Sequence, residues 1–422
     1  MDPIDAATIF VAESVASLRG PRPALHRALR DLAADVHSGQ RAGKAKASAE
    51  VLAQALGKKL DESRLSEHIS KSGDEYLISI ALSAAALIGC AACSRIGDLA
   101  SATALLDNAL LRTRNETHCI LLRSIATLLD GAYSEAAASR KRPRCNHWPS
   151  EAILLKIGSA TKFGTSVRTA DPGTSVEAAC EPLLFSELAA DWPAISRWSD
   201  PSYLHRAAGS RTVPVEVGAT HLGAEGGGVQ EQTVLVTLSE FIDNVVLGGQ
   251  AATASGGIPT AVMPSVPVTA AATRGYLAQH RLFEQCPQLA ADIRHPQLVP
   301  SSADCRAWFG PAGVVTPIHH DLHHGVLVQV VGCKRLLLWP PGARGLLRAP
   351  PLDSPLANTS PLDPDGAIDS TSREDDVNAL RSACSSVVLT PGDALFIPQG
   401  WWHHARSLSV SFSVSFWWDV KS

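Results

Sequence analysis

The stretch from Trp308 to Trp339, WFGPAGVVTPIHHDLHHGVLVQVVGCKRLLLW, decides how the second half of this chain is interpreted. In it, His319 and Asp321 lie two residues apart, just before a mostly apolar run from Val326 to Val331. In an extended segment, residues two apart project from the same face. The stretch therefore predicts two ligands of a metal site beside a buried strand.

A third ligand is expected far downstream, in LFIPQGWWHHARSLSVSFSVSFWW, where His403 is the best candidate. Two histidines and one carboxylate form the facial triad of non-haem Fe(II) oxygenases, which leaves coordination positions open for a cosubstrate and O2. His320 and His404 are expected to point away, because neighbours in a strand face opposite sides. A surface histidine cluster is the alternative, and the spacing of the motif favours the metal site.

Composition limits the function classes. The 422-residue chain has a net charge of −4, which gives no basic surface for direct binding of nucleic acid. No window approaches an uninterrupted apolar run of about 18 residues and the N-terminus lacks a signal-peptide pattern, so no membrane association is expected. Nine scattered cysteines indicate a reducing compartment, and Cys90 and Cys93 are expected to be buried thiols on a helix. We predict a nuclear or cytoplasmic protein, with Arg140 to Arg144 as a candidate nuclear address.

The chain divides into segments that differ in composition and in the spacing of apolar residues. Residues 1–135 carry apolar positions at helical spacing and predict an α-helical domain that binds a protein partner. Residues 136–175 are expected to be a linker, and 176–422 a domain of short strands. Two low-complexity segments, 248–272 and 343–382, are expected to be disordered insertions that carry no chemistry.

The end of the chain predicts the type of β fold. Serines at 409, 411, 413 and 415 alternate with Val410, Phe412, Val414 and Phe416, which is typical of a half-buried strand. Many short strands, with a metal triad carried on two of them, favour a double-sheet jelly roll of the cupin type. The predicted fold class is α+β, with an N-terminal helical domain followed by this jelly roll.

A lysine follows the apolar run, in GCKRLLLW. A 2-oxoacid cosubstrate chelates iron through one end and leaves a distal carboxylate, which needs a fixed cation in a dry pocket. Lys334 can supply that charge-assisted hydrogen bond.

From about residue 180 onward the chain resembles the Jumonji-C (JmjC) oxygenases. The matching stretches are RTVPVEVG, GYLAQHRLFEQCPQL, AWFGPAG, TPIHHD, LVQVVGCKR, PGDALFIP and SFSVSFWW. The resemblance implies a double-stranded β-helix that uses Fe(II), 2-oxoglutarate and O2. It also implies roles for nine positions: His319, Asp321 and His403 for the iron; Tyr276, Thr316 and Lys334 for 2-oxoglutarate; and Glu216, Gln279 and Trp308 for the substrate.

One departure from the family concerns the cosubstrate. Gly325 stands where the family has an asparagine that helps to hold the cosubstrate's carboxylate, so we expect His324 or water to substitute, or binding to be weaker.

The resemblance implies hydroxylation of a protein side chain, with arginine at carbon 3 as the first hypothesis. Demethylation of methyl-lysine in a histone tail, or cleavage of such a tail, is the alternative at the same site. A scaffold or sensor with weak activity is a third. The expected partner is a protein or peptide, such as a histone tail or a ribosomal or chromatin protein.

Overall fold

The computed structural model describes residues 10–16, 18, 23–38, 42–65, 72–95, 98–113, 118–127, 129, 148, 164–217, 232–248, 275–364 and 374–419. These form a helical region, between residues 10 and 129, and a β-rich region from residue 164 onward. The predicted α+β fold class is confirmed.

The helical region packs around its own apolar core. Four of its helices have complete bounds: α1 (Pro23–Ser38), α2 (Ala42–Leu65), α3 (Ser72–Arg95) and α4 (Leu99–Arg112). Residues 10–16 and 118–127 are also helical. Helix α4 begins after Asp98, whose carboxylate accepts a hydrogen bond from the Ser101 amide at 3.1 Å and so caps a free backbone donor.

Helix α3 is the most apolar element. Its segment Tyr76–Ser94 has a mean hydropathy of 2.1 and is long enough to cross a membrane, yet 83% of it is buried against the rest of the protein. That burial is typical of the central helix of a globular domain. Cys90 and Cys93 lie on this helix as buried thiols, as predicted, and burial raises the pKa of Cys90 to about 11.

Within its described residues, the β-rich region contains two sheets. The five-stranded sheet has the order β1-β11-β10-β13-β8, and the nine-stranded sheet the order β2-β3-β12-β9-β14-β7-β6-β4-β5. The strands are β1 (Thr165–Ser166), β2 (Arg168–Thr169), β3 (Leu183–Phe185), β4 (Thr212–Val217), β5 (Gln232–Thr237), β6 (Gly275–His280), β7 (Asp304–Gly310), β8 (Val315–His320), β9 (His324–Val331), β10 (Lys334–Trp339), β11 (Ser385–Leu389), β12 (Ala394–Ile397), β13 (Trp402–Ser407) and β14 (Ser411–Trp418).

Short helices cover the outer face of the larger sheet, and a 3₁₀ turn and the last helix cover the outer face of the smaller sheet. They are α5 (Pro193–Arg197), α6 (Pro201–Ala208), α7 (Leu238–Phe241), a π-turn (Ile242–Val246), α8 (Leu282–Gln285), α9 (Pro287–Ala290), a 3₁₀ turn (Pro341–Arg344) and α10 (Glu374–Ser382). Helix α7 begins with a reciprocal capping box between Thr237 and Glu240.

The two sheets face each other and enclose a cavity. Strands β8, β10 and β13 of the smaller sheet and β6, β7, β9 and β14 of the larger sheet all contribute lining residues. The main apolar core lies on the other face of the larger sheet, against α5 to α9. This is the predicted jelly roll.

Strand β14 differs from its prediction. The alternating serines were expected on a solvent face, but Ser411, Ser413 and Ser415 are 1%, 0% and 3% exposed. The reason is that both faces of the larger sheet are covered at β14: Phe412, Val414 and Phe416 pack in the main core, and the serine face lies toward the space between the sheets, where Ser415 lines the cavity. Its serines pair with buried polar groups: the Ser413 hydroxyl donates to the Gln329 side chain at 2.7 Å.

The predicted boundaries also need correction. Strands β1 and β2 lie inside the segment 136–175 that was expected to be a linker, and they pair with β11 and β3. The predicted insertion at 248–272 falls, apart from Gly248, outside the described residues, as does the basic run at 140–144.

The expectation of disorder over 343–382 is wrong for the described part of that segment. Leu347 and Leu380 are 0% and 3% exposed, and they pack on the outer face of the smaller sheet. Thr359 forms a β-bridge with His319, and the Ser360 amide donates to Ile318 at 2.8 Å. The segment covers the edge strand β8, which otherwise presents unpaired backbone groups.

Candidate metal and cosubstrate site

The predicted iron ligands meet at one end of the cavity. Strands β8 and β13 pair so that His319 lies directly opposite His403. Asp321 follows β8, with one carboxylate oxygen 3.8 Å from His319 Nε2 and the other 3.8 Å from His403 Nε2. Ligand atoms from all three side chains lie within 4.8 Å of one another, so one cation placed between them contacts all three.

Hydrogen bonds set the tautomer of both histidines. His319 Nδ1 donates to the Pro317 carbonyl at 2.8 Å, and His403 Nδ1 donates to the Trp401 carbonyl at 3.1 Å. Each imidazole therefore keeps its lone pair on Nε2, the nitrogen that faces Asp321. This second layer of hydrogen bonds is what a histidine needs as a metal ligand.

The loop before β13 holds Asp321 in place. The Gly400 amide donates to the Asp321 carbonyl at 3.0 Å, and Gly400 has φ +78°, a conformation that favours glycine. On the other side, the His320 amide donates to the Asn358 carbonyl at 3.0 Å.

A buried cation lies at the other end of the cavity. Lys334 begins β10, is 3% exposed, and its Nζ contacts the Tyr276 hydroxyl at 3.4 Å. Burial lowers the pKa of Lys334 to about 7. Burial also raises the pKa of Tyr276, and a hydrogen bond from Thr316 acts in the opposite direction. The three residues predicted to bind 2-oxoglutarate are thus together.

The donor set fits an anionic cosubstrate. Lys334 is 3% exposed, its Nζ contacts the Tyr276 hydroxyl, and burial lowers its pKa, so a charged ammonium at this position gains from an anion beside it. A ligand carboxylate would supply the missing charge, with hydroxyls of Tyr276 and Thr316 beside it. The triad and this basic end line the same cavity.

Aromatic side chains form one wall. Trp308 is 7% exposed, and its indole donates to the Ser415 hydroxyl at 2.8 Å. Its ring centroid lies 5.8 Å from that of Tyr276 and 6.0 Å from that of Trp417. Sequence reasoning missed Trp417 and Ser415, although both lie in the SFSVSFWW motif and, being two residues apart in a strand, share the face that lines the cavity.

Gly325 is explained by Trp417. A Cβ at position 325 would lie 2.9 Å from Trp417 Cδ1 and 3.1 Å from Trp417 Nε1, closer than ordinary packing permits. The indole edge therefore occupies the space that a side chain at 325 would need. The expectation that His324 substitutes is not supported, because its Nδ1 accepts from the Gln399 amide at 3.0 Å and its ring packs on Phe396.

The remaining histidines have other contacts. His320 packs edge-on against Trp402, with ring centroids 4.6 Å apart, and His323 pairs with the exposed Asp419 at 2.8 Å. His404 is 1% exposed and does not line the cavity.

Two of the three predicted substrate residues lie outside the central cavity. Glu216 on β4 pairs in register with Tyr276 on β6. Gln279 is exposed at the end of β6 and lines an outer groove of about 1210 Å³, which shares Asp321 and Trp417 with the cavity. Their roles stay predictions.

Comparison with known proteins places the chain in a family. Residues 172–422 match the cupin-like domain family. The chain belongs to this family. It is 38% identical over 245 residues to "Lysine-specific demethylase JMJ30" of Arabidopsis thaliana, covering 57% of this chain and 50% of the relative. It is 37% identical over 246 residues to "Lysine-specific demethylase 8" of Xenopus tropicalis, covering 57% and 48%.

A third relative is "Jumonji C domain-containing protein 5" of Drosophila melanogaster, 36% identical over 249 residues, covering 57% of this chain and 55% of the relative. The resemblance to JmjC proteins is confirmed. The matches span about half the length of these relatives.

Proposed function

We propose that this protein is an Fe(II)- and 2-oxoglutarate-dependent oxygenase that hydroxylates a protein side chain, with arginine at carbon 3 as the target. The observation that carries the proposal is one cavity with a His-Asp-His cluster at one end and the buried cation Lys334 at the other. JmjC relatives at 36 to 38% identity support the class of reaction.

Each residue has a defined part in this proposal. His319, Asp321 and His403 hold the iron, and Lys334 binds the distal carboxylate of 2-oxoglutarate. When bound, the iron with 2-oxoglutarate and O2 supplies the oxidising chemistry that places oxygen on a C–H bond. The protein excludes water and fixes the substrate carbon near the metal, which converts binding energy into rate.

Arginine suits the substrate residues that the family resemblance implies. Glu216, Gln279 and Trp308 supply a carboxylate, an amide and an indole, which suit a planar guanidinium through hydrogen bonds and a cation–π contact. The protein or peptide substrate would approach through the groove that Gln279 lines. The basic run at 140–144 supports a nuclear location beside a cytoplasmic one.

Demethylation of methyl-lysine is the second candidate. The wall formed by Tyr276, Trp308 and Trp417 presents aromatic faces, which bind methylated ammonium groups well. Two of the relatives above are named as lysine-specific demethylases. Histone tails are the corresponding substrates.

Turnover with defined peptides tests the proposal. The protein, loaded with Fe(II) and 2-oxoglutarate, is incubated with arginine-containing peptides and with methyl-lysine histone peptides, and succinate and peptide mass are measured. A gain of one oxygen on arginine supports hydroxylation, and loss of a methyl group supports demethylation. His319→Ala removes a ligand and should abolish both, whereas His295→Ala, at an exposed histidine that lines neither the cavity nor the groove, should retain activity.

Binding separates an enzyme from a scaffold. Titration of 2-oxoglutarate into Mn(II)-loaded protein should give saturable heat. If wild-type protein binds no 2-oxoglutarate and forms no succinate above the His319→Ala background, the oxygenase proposal is wrong and a structural or sensing role is favoured.

A further inference from the structure

A fully buried ion pair joins the helical region to the cupin domain. Asp107 on α4 and Arg211, just before β4, both have 0% of their side chains exposed. Arg211 Nη2 donates to Asp107 Oδ1 at 2.6 Å, and Arg211 Nε lies 3.1 and 3.2 Å from the two carboxylate oxygens. The Thr212 amide, the first of β4, donates to Asp107 Oδ2 at 2.6 Å.

The hydrogen bonds continue from this pair to β6. Gln285 on α8 donates from Nε2 to the Thr212 carbonyl at 2.8 Å, and its Oε1 accepts from His280 Nε2 at 2.7 Å. Burial lowers the pKa of His280, which favours the neutral ring, and the bond to Gln285 Oε1 places the proton on Nε2. Gln285 and His280 are 2% and 9% exposed, so water does not compete with these bonds.

The two strands at the ends of this network carry predicted site residues. Strand β4 carries Glu216 and β6 carries Tyr276 and Gln279. Gln279 directly precedes His280, has φ +50°, and lies where the pairing of β6 with β7 shifts register between Leu277 and His280. A non-glycine residue keeps such a conformation only where its surroundings hold it.

We propose that Asp107 is a positioning residue for the oxygenase site. Its carboxylate fixes Arg211 and the start of β4, and through Gln285 and His280 it fixes the end of β6 that presents Gln279 to the outer groove. In this proposal the helical region orders the two strands, β4 and β6, that carry predicted substrate-binding residues. The roles of Glu216 and Gln279 rest on the proposed function.

The chemistry of the pair favours specificity over stability. Replacing a buried ion pair by apolar residues is often neutral or stabilising, because desolvation of two charges offsets their attraction. What a carboxylate with several directed donors provides is a fixed register between the groups it joins. A second contact, Arg123 Nη2 to Glu284 Oε2 at 2.5 Å, joins residue 123 of the helical region to α8 beside Gln285.

Hydrogen–deuterium exchange on the full chain tests the inference. Asp107→Asn removes the charge and keeps the shape of the side chain. Asp98→Asn is the matched control, because Asp98 lies just before the same helix and pairs with Lys46 inside the helical region. We expect Asp107→Asn to raise exchange on the order of tenfold in residues 212–217 and 275–280, with β8, β10 and β13 unchanged. Asp98→Asn should leave all five strands unchanged.

Arg211→Lys provides a second variant, since it keeps the positive charge but loses the two-pronged guanidinium. Arg211→Lys should give a smaller increase of exchange in β4 and β6. It replaces Asp107→Asn as the test if that variant does not fold. Exchange that rises uniformly through the cupin domain, or that does not rise in β4 and β6, overturns the inference in favour of a purely structural pair.

Kinetics separate this inference from the proposed function. With an arginine peptide, Asp107→Asn should raise KM for the peptide several-fold while kcat and the Kd of 2-oxoglutarate change less. If no peptide reacts with wild-type protein, the proposed function fails, and the exchange result still decides whether Asp107 orders β4 and β6. If the peptide reacts and its KM is unchanged in Asp107→Asn, the positioning role is wrong.

Discussion

Lys334 links the cosubstrate site to pH. The pKa of this lysine is about 7 in the folded protein and 10.5 in its ordinary state, because burial disfavours the ammonium. Between these values the unfolded chain binds more protons, so this group makes the ligand-free protein more stable as pH rises from about 7 to about 10.5. A bound carboxylate needs the protonated ammonium. Raising the pH therefore stabilises the ligand-free fold but weakens the binding of 2-oxoglutarate.

We therefore predict that affinity for 2-oxoglutarate falls as pH rises above about 7, by at most about tenfold per pH unit. Calorimetric titration of Mn(II)-loaded protein between pH about 7 and about 9, in buffers of different ionisation enthalpy, should show proton uptake on binding. Lys334→Met should bind weakly and without this pH dependence. Affinity that is constant over the range would contradict a lysine that is neutral before binding.

The close approach of Gly325 to Trp417 predicts an effect on stability. Gly325→Asn, which restores the family's residue, should destabilise this protein by about 1–3 kcal/mol, because the new Cβ overlaps the indole of Trp417. Trp417→Ala opens that space. In chemical denaturation, the double variant should lose less stability than the sum of the two single variants. Additive losses would mean that the indole does not occupy the space beside position 325.

The sequence predicted the site better at its ligands than at its walls. The motif around His319 and Asp321 is local, and strand alternation is enough to place both side chains on one face. Trp417 and its relation to Gly325 depend on the pairing of β14 with β9, which no local pattern specifies. The same holds for Ser415, whose hydroxyl binds the Trp308 indole.

Among the strands, β14 shows that sequence periodicity predicts a strand but not which of its faces is exposed to water. Alternation of serine with Val and Phe predicted a strand, and the strand is there, but the polar face is not in water. Period-two patterns report which side chains share a face, and the layers packed against the sheet decide what covers that face. The segment 343–382 shows the same limit, because Pro- and Asp-rich composition suggested disorder where contacts with β8 and the smaller sheet order its described residues.

The buried hydrogen bonds of the β14 serines predict a measurable loss of stability when one of these serines is replaced. Ser413 and Gln329 are both 0% exposed, and the serine hydroxyl is the donor to Gln329 Oε1. Ser413→Ala should lower the free energy of unfolding by about 1–3 kcal/mol, because it leaves a buried amide oxygen without this donor. Guanidinium denaturation measures the loss, and Ser301→Ala, at an exposed position, should change it by less than about 0.5 kcal/mol. Equal losses in both variants would argue against a buried polar contact.

At the scale of the whole molecule, two separate apolar cores share one chain. The helical core and the main core of the cupin domain have no residue in common, and the buried pair of Asp107 with Arg211 joins the two regions. The sequence predicted a helical domain that binds a protein partner, joined by a linker to the β domain. It could not predict this junction, because each member of the pair lies in an ordinary local pattern about a hundred residues from the other.

Calorimetry distinguishes coupled from independent regions. If the pair couples them, Mn(II)-loaded wild-type protein should unfold in one transition, and 2-oxoglutarate at about 100 times its Kd should stabilise that whole transition by about 2.7 kcal/mol more than Mn(II) alone, since the ligand binds only the native site. In Asp107→Asn we expect a separate, lower transition for the helical region that the ligands do not shift. Two transitions in wild-type protein, with only one responding to ligand, would mean that the helical region folds and melts on its own.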